Sequence, residues 1–169
     1  MNSYADLVAA YLSDPKPETL AELRDAVRSA PNFRSDLTLD RTVDPLMTSG
    51  AYDEAISTLL DLMPGGIFSP AVHAALADAY AHSGRQEAAD RETSLAKAAL
   101  RSIASTGDGS AEHPWTVLRI SDEYDVLRSM RKRPGRQEVI EESGRYLDHH
   151  VCEDGSEVYF DVTELFPRN

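Results

Sequence analysis

The residues with the greatest chemical potential lie in the last third of the chain. The string DHHVC, Asp148 to Cys152, brings two imidazoles and the sole cysteine together. On a strand, His150 and Cys152 share a face while His149 points away, so only two soft ligands converge. A structural zinc site needs four, and nothing else in the chain supplies a matching pair. Cys152 as a nucleophile would need a base and oxyanion donors, and His150 is the base that the spacing places on its face. Asp108, Asp122, Glu123, Asp125 and Asp161 could meet around a divalent cation, yet the middle three are also what a helix N-terminus attracts. The structural explanation is the simpler one for each group. Catalytic residues, metal ligands and cofactors are therefore all expected to be none. The absence of a Gly-x-Ser-x-Gly elbow, a phosphate-binding glycine loop and a zinc-protease helix pattern agrees with a protein that is not an enzyme.

Two further strings invite chemistry and are better explained as structure. GDGS, Gly107 to Ser110, has the residue types of a calcium-loop fragment. The alternate acidic positions and late glutamate of an EF-hand are missing, so a turn is expected. Arg128, Arg131, Lys132, Arg133 and Arg136 form the single basic cluster. A solvated helix end, or a partner for acidic residues on the other domain, is the expected role.

These groups sit in an acidic chain of 169 residues, with 29 acidic against 17 basic residues and a net charge of −12. Up to Ile103 there are 15 acidic and 9 basic residues, and beyond it 14 and 8, so each part carries about −6. Such a field repels phosphate backbones and favours basic partners. No nucleic acid is expected as a partner. The hydrophobic fraction of 41% and charged fraction of 27% are those of a folded chain. No apolar run approaches the ~20 residues of a membrane helix, so no membrane partner is expected either. MNSYADLVAAYLSD lacks a basic n-region and makes a poor secretory signal. One cysteine excludes an internal disulfide and fits a reducing compartment. Cytoplasm is the expected location.

What positions these groups is first a helical half. Tyr4, Leu7, Val8, Tyr11 and Leu12 form one apolar stripe, and Leu20, Leu23, Val27 and Ala30 another, bracketed by Pro17 and Pro31. Leu39, Val43, Leu46 and Met47 predict a third helix. After Gly50, Tyr52, Ala55, Ile56, Leu59, Leu60 and Met63 follow helical spacing until Pro64-Gly65-Gly66. Ser69 as N-cap and Pro70 at the first helical position start a fifth helix, with Val72, Leu76, Ala79 and Tyr80 on one face. Ala89, Ala96, Leu100 and Ile103 mark a sixth. The same dipeptide turn occurs twice, at Ser49-Gly50 and at Ser83-Gly84, an offset of 84 − 50 = 34.

That interval resembles the tetratricopeptide repeat (TPR), a helix–turn–helix unit of ~34 residues. LADAYAHSGRQEAA matches the family's pattern at Leu76, Tyr80, Gly84 and Ala89, and SGAYDEAI at Gly50, Tyr52 and Ala55. His73 replaces the usual first aromatic, and Gln86 stands where the second turn would carry tyrosine. The resemblance implies about three stacked hairpins over residues 1–104, with turns near Pro15, Gly50 and Gly84. One hairpin cannot bury its own apolar face, whereas stacked neighbours share a core.

From Ser105 the composition changes to STGDGSAEHP, which is loop chemistry. Trp115 to Ile120 reads as a strand, and Ser121 as the cap of a helix from about Asp122 to Arg133, ended by Pro134-Gly135. Val139 and Ile140 suggest a short strand. RYLDHHVCEDGSEVYFDV reads as a hairpin turning at Asp154-Gly155. The expected fold class is α+β: N-terminal TPR-like hairpins and a small C-terminal β-α-β-β-β module over residues 105–169, docked on the last hairpin. The string GDGS…P…SDEYDVLR…VYFD, spanning Gly107 to Phe166, resembles the C-terminal module of a family of bacterial TPR proteins of unknown function. That likeness implies a recurring architecture and lends no activity.

The TPR resemblance implies a concave groove lined by the first helix of each hairpin, which usually holds a peptide. Asp6 and Asp40 fall at one equivalent position, and Asp44 and Asp78 at another, each pair separated by the same interval as the two turns. The expected function is a non-enzymatic protein- or peptide-binding adaptor, favouring basic partners through Asp6, Asp40, Asp44 and Asp78. An immunity protein that blocks a basic toxin is the rival within the binding class. A small enzyme or metal-binding protein using the C-terminal module is the rival outside it.

Overall fold

The structure, a computed structural model, describes residues 2–166. The fold is α+β. Seven helices are described, α1 (Tyr4–Ser13), α2 (Pro17–Arg28), α3 (Asp44–Thr48), α4 (Tyr52–Leu60), α5 (Pro70–His82), α6 (Gln86–Ala104) and α7 (Ile120–Ser129). Four strands, β1 (Trp115–Thr116), β2 (Pro134–Glu142), β3 (Arg145–Cys152) and β4 (Glu157–Asp161), form one sheet. The chain divides into compact units of residues 1–99 and 100–169, with the division inside α6.

In the first unit each helix starts where its sequence supplies a cap. Ser3 and Asp6 form a reciprocal capping box at α1, satisfying two otherwise orphaned N–H groups. Pro17 opens α2 and Pro70 opens α5, where the missing proline N–H is no loss. Ser69 Oγ accepts from the Val72 amide. The third helix departs from expectation, because only Asp44–Thr48 is helical and Leu39 and Val43 lie in the preceding turns. Pro45 explains the shortening. It has no N–H to bond back four residues to Arg41, so it is accommodated only in the first turn of the helix.

The turns at Gly50 and Gly84 are built alike, group for group. Their φ values are +77° and +78°, a left-handed conformation that glycine adopts at no steric cost. In the first, Ser49 Oγ donates to Leu46 O, Gly50 N to Met47 O and Ala51 N to Leu46 O. In the second, Ser83 Oγ donates to Tyr80 O, Gly84 N to Ala81 O and Arg85 N to Tyr80 O. Every bond of the first turn recurs in the second at the offset that separates the glycines. Around these turns Val43, Ala55, Ile56, Leu59, Val72, Leu76 and Ala79 make one buried cluster. Leu60, counted in the apolar stripe of α4, is 47% exposed, because it ends the helix one residue past that face.

Irregular chain follows α4, and Asn32 holds it in place. Its side chain donates to Leu62 O and Met63 O at 3.0 Å and accepts from Gly65 N at 2.9 Å. His73, standing where the repeat pattern has an aromatic, is buried. Its Nε2 accepts from Phe68 N at 3.0 Å, so its Nδ1–H points to Glu92 Oε2 at 2.6 Å.

In the second unit the strand order is β1-β4-β3-β2. β1 runs parallel to β4, and the other neighbours are antiparallel. The Asp154-Gly155 hairpin joins β3 to β4, with Gly155 at φ +83°. Three expectations are corrected. The strand expected over Trp115 to Ile120 pairs only at Trp115–Thr116. The helix starts at Ile120 rather than after Ser121, because Asp122 Oδ2 accepts from Leu118 N and Arg119 N and makes Arg119 the N-cap. It ends at Ser129, and Pro134-Gly135, expected as a stop, begins the nine-residue β2. Arg131, Lys132 and Arg133 thus lie beyond the helix, where Arg131 has φ +56° and Lys132 pairs with Asp154 at 2.9 Å.

GDGS is a packing turn. Asp108 Oδ1 accepts from Ser110 N at 2.9 Å, and Gly107 O accepts from the Trp115 indole N–H at 3.0 Å. Gly109 has φ +81°, and a Cβ there would stand 2.6 Å from the Trp115 ring. Trp115 in turn belongs to the core with Ile103, Val117, Val126, Leu127, Cys152, Val158, Phe160 and Val162.

Candidate functional site

The four aspartates expected to line a groove are all exposed, and Asp6, Asp40 and Asp78 have local partners. Asp6 caps its own helix through Ser3, which lowers its pKa. Asp40 accepts from Thr38 Oγ1 at 2.7 Å, and that bond lowers its pKa. Asp40 lies in the turn ahead of α3, so it does not share a helical position with Asp6. Asp44 is the first residue of α3, and Asp78 lies on α5 beside His82 at 3.2 Å. No described hydrogen bond links any of the four to another. The same unit carries an apolar hollow of about 320 Å³ lined by Tyr4, Val8, Leu12, Ile67, Phe68 and Leu95, among others.

The densest chemistry is buried in the second unit. Glu123 and His150 are fully buried and Asp148 is 5% exposed. One ligating atom from each lies within 4.8 Å of the others. α7 brings Glu123 there because Glu123, Val126 and Leu127 share an inward face at i, i+3 and i+4, and all three are buried. β3 brings Asp148 and His150, which alternate on the same face of the strand. Glu123 Oε2 and His150 Nε2 are 2.7 Å apart. Glu123 Oε1, Asp148 Oδ1 and His150 Nδ1 are buried with no hydrogen-bond partner among the described residues.

The surroundings hold these groups in place. The His150 ring makes edge contacts with Tyr124 and Phe160, both at 5.6 Å between centroids. Gln137 faces His150 across the β2–β3 ladder; its amide N–H donates to Asp148 Oδ2, and its Oε1 accepts from the Tyr124 hydroxyl at 2.6 Å. Burial pushes the Glu123 carboxyl up to about 7, with the His150 hydrogen bond opposing and both the nearby Asp148 charge and a proton-sharing contact with Asp148 reinforcing. Two ionised carboxylates side by side in the interior are costly. A proton on Glu123, or a cation between the two, removes that cost.

The other residues weighed for chemistry go elsewhere. Cys152 joins the apolar core. His149 stacks on Tyr159 at 4.3 Å and contacts Glu138 and Glu157. Of the five carboxylates proposed to converge, only Glu123 enters the cluster. Asp108 binds Ser110, Asp122 caps α7, Asp125 pairs with Arg128 at 2.9 Å, and Asp161 accepts from Thr163. Arg119 is fully buried, and burial pulls its pKa down against the attraction of Asp122 and Asp125. The inward set was legible in part. Asp148 and His150 alternate on a predicted strand, and Glu123 precedes two apolar residues at helical spacing.

A family model described as a domain of unknown function, DUF4919, matches residues 38–168. The chain belongs to the DUF4919 family. The match starts before α3 and runs past the end of β4, so the two like-built turns and the whole sheet fall inside the DUF4919 domain, while α1 and α2 precede it. No curated protein and no solved structure matches the chain significantly. Among the described residues, no helix is long and apolar enough to cross a membrane.

Proposed function

We propose that this DUF4919 protein is a non-enzymatic, TPR-type scaffold of the cytoplasm that binds a protein or peptide, preferably a basic one. The observation that carries the reading is the pair of turns at Gly50 and Gly84, which are alike in every hydrogen bond and set one TPR-like period apart. A unit repeated at this interval is how helical hairpins build an extended binding surface. The net charge of −12 and the exposed Asp40, Asp44 and Asp78 favour a cationic ligand through charge complementarity. The apolar hollow beside α1 is of a size to take one aliphatic or aromatic anchor of that ligand. The buried Cys152 fits a reducing compartment.

The test is a binding titration with matched basic and acidic peptide pools at two ionic strengths. The reading expects saturable binding of basic peptides that weakens as salt rises. Equal binding of both pools, or binding that salt leaves unchanged, would refute it.

A further inference from the structure

We propose that Glu123, Asp148 and His150 form a binding site for one divalent first-row transition ion of the zinc or manganese class, which ties α7 to the central strand β3. Every ligand lies in the second unit, so the inference does not rest on the scaffold reading.

Three observations carry it. The first is composition, since one helix and one strand deliver two carboxylates and an imidazole to a single point within 4.8 Å. Two ligands on one tetrahedral ion at bonds of ~2.1 Å stand ~3.4 Å apart, so side-chain shifts of about an ångström close the site. The 2.7 Å between Glu123 Oε2 and His150 Nε2 opens by a comparable amount when an ion enters between them.

The second observation is the unpartnered set. Buried polar atoms are nearly always satisfied, yet each of the three side chains presents one buried atom without a hydrogen-bond partner. Ionised together, the two carboxylates only accept and cannot satisfy one another; a proton on Glu123 satisfies one contact between them, whereas a dication satisfies both carboxylates and takes an imidazole nitrogen as well. The third observation is the support. Gln137 holds Asp148, and Tyr124 holds Gln137, which is the outer-shell bonding that aims a ligating carboxylate. Gln137 is exposed and Tyr124 only half-buried, so the supporting pair stands between the buried ligands and the surface.

The donor set narrows the ion. Magnesium and calcium prefer all-oxygen shells, while imidazole with carboxylates suits zinc, manganese or iron(II). Three protein ligands are one short of a tetrahedral shell, which water or a second carboxylate oxygen completes. A small unit of about 70 residues gains from such a staple.

The experiment uses the full chain, stripped with chelator and titrated calorimetrically with zinc, manganese and magnesium chlorides. One zinc or manganese ion per chain is expected, with magnesium much weaker. The ion should raise Tm by about 5 °C or more at hundredfold excess over Kd. Glu123→Gln and Asp148→Asn should each weaken binding by about tenfold or more, and His149→Ala, on the other face of β3, should leave it unchanged. X-ray absorption of the zinc-loaded wild-type chain should show one imidazole nitrogen among oxygen donors, a readout that needs no variant to fold. No binding would mean that a proton alone occupies the site and would overturn the proposal. Undiminished binding in both folded carboxylate variants, or a spectrum without imidazole, would overturn it equally.

Discussion

Replacing Glu123 by glutamine removes one ionisable group from the interior while keeping its size, and it should change how stability varies with pH. Burial raises the Glu123 carboxyl from 4.5 to about 7. Below 4.5 the group is protonated in both folded and unfolded chains and contributes no pH dependence. Between 4.5 and about 7 the unfolded chain ionises while the folded chain holds its proton, so folding stability falls as pH rises. Above that range both forms are ionised and the loss stays constant. At ~1.4 kcal/mol per pH unit, the shift amounts to roughly 3 kcal/mol in magnitude. Glutamine has no charge to desolvate, so the variant should gain stability relative to wild type across this window and then level off. Urea unfolding of both proteins, with chelator present and pH stepped from about 4 to about 8, measures the difference directly. A difference that stays constant with pH would refute the reasoning, because it would mean that Glu123 titrates alike in folded and unfolded chains.

Other substitutions test the packing. Leu76→Ala, at a fully buried position of the helical core, should cost ~2–5 kcal/mol in denaturant unfolding. Gly50→Ala and Gly84→Ala should each cost about 1 kcal/mol, since both glycines have positive φ but no close neighbour to strike; equal costs at the two sites would match their equal geometry. Gly109→Ala should cost more than either, because its Cβ would meet the Trp115 ring at 2.6 Å, and near-UV circular dichroism of the single tryptophan should change with it.

Local turn chemistry was the most legible part of the sequence. Ser-Gly before each second helix fixes a left-handed residue at Gly50 and Gly84 whatever surrounds it, so the interval between the two dipeptides survives directly into structure. Start signals read equally well at Ser69-Pro70. The third helix was over-read because Leu39 and Val43 kept helical spacing while Pro45, with no N–H to bond back, confines the helix to Asp44–Thr48. Spacing reports burial, and here burial is reached through turns. Arg119 as a cap was missed because the capping atom belongs to Asp122, three residues later. The buried cluster was half visible. DHHVC drew notice to Cys152, which entered the apolar core, whereas the partner of His150 proved to be Glu123, 27 residues away on another element. Such a pairing depends on how α7 lies on the sheet, which no local pattern encodes.

The scaffold reading is tested most directly by charge reversal on the surface it invokes. Asp40, Asp44 and Asp78 are exposed, so replacing all three by lysine should leave unfolding within roughly 0.5 kcal/mol per site of wild type. Exposed carboxylate–ammonium contacts contribute ~0.2–1 kcal/mol each, so the triple variant should bind the basic peptides selected by the wild-type chain on the order of tenfold more weakly. The loss should be largest at low salt, where the local field is least screened. Unchanged affinity in a folded triple variant at both ionic strengths would contradict the account and move the binding surface away from these aspartates.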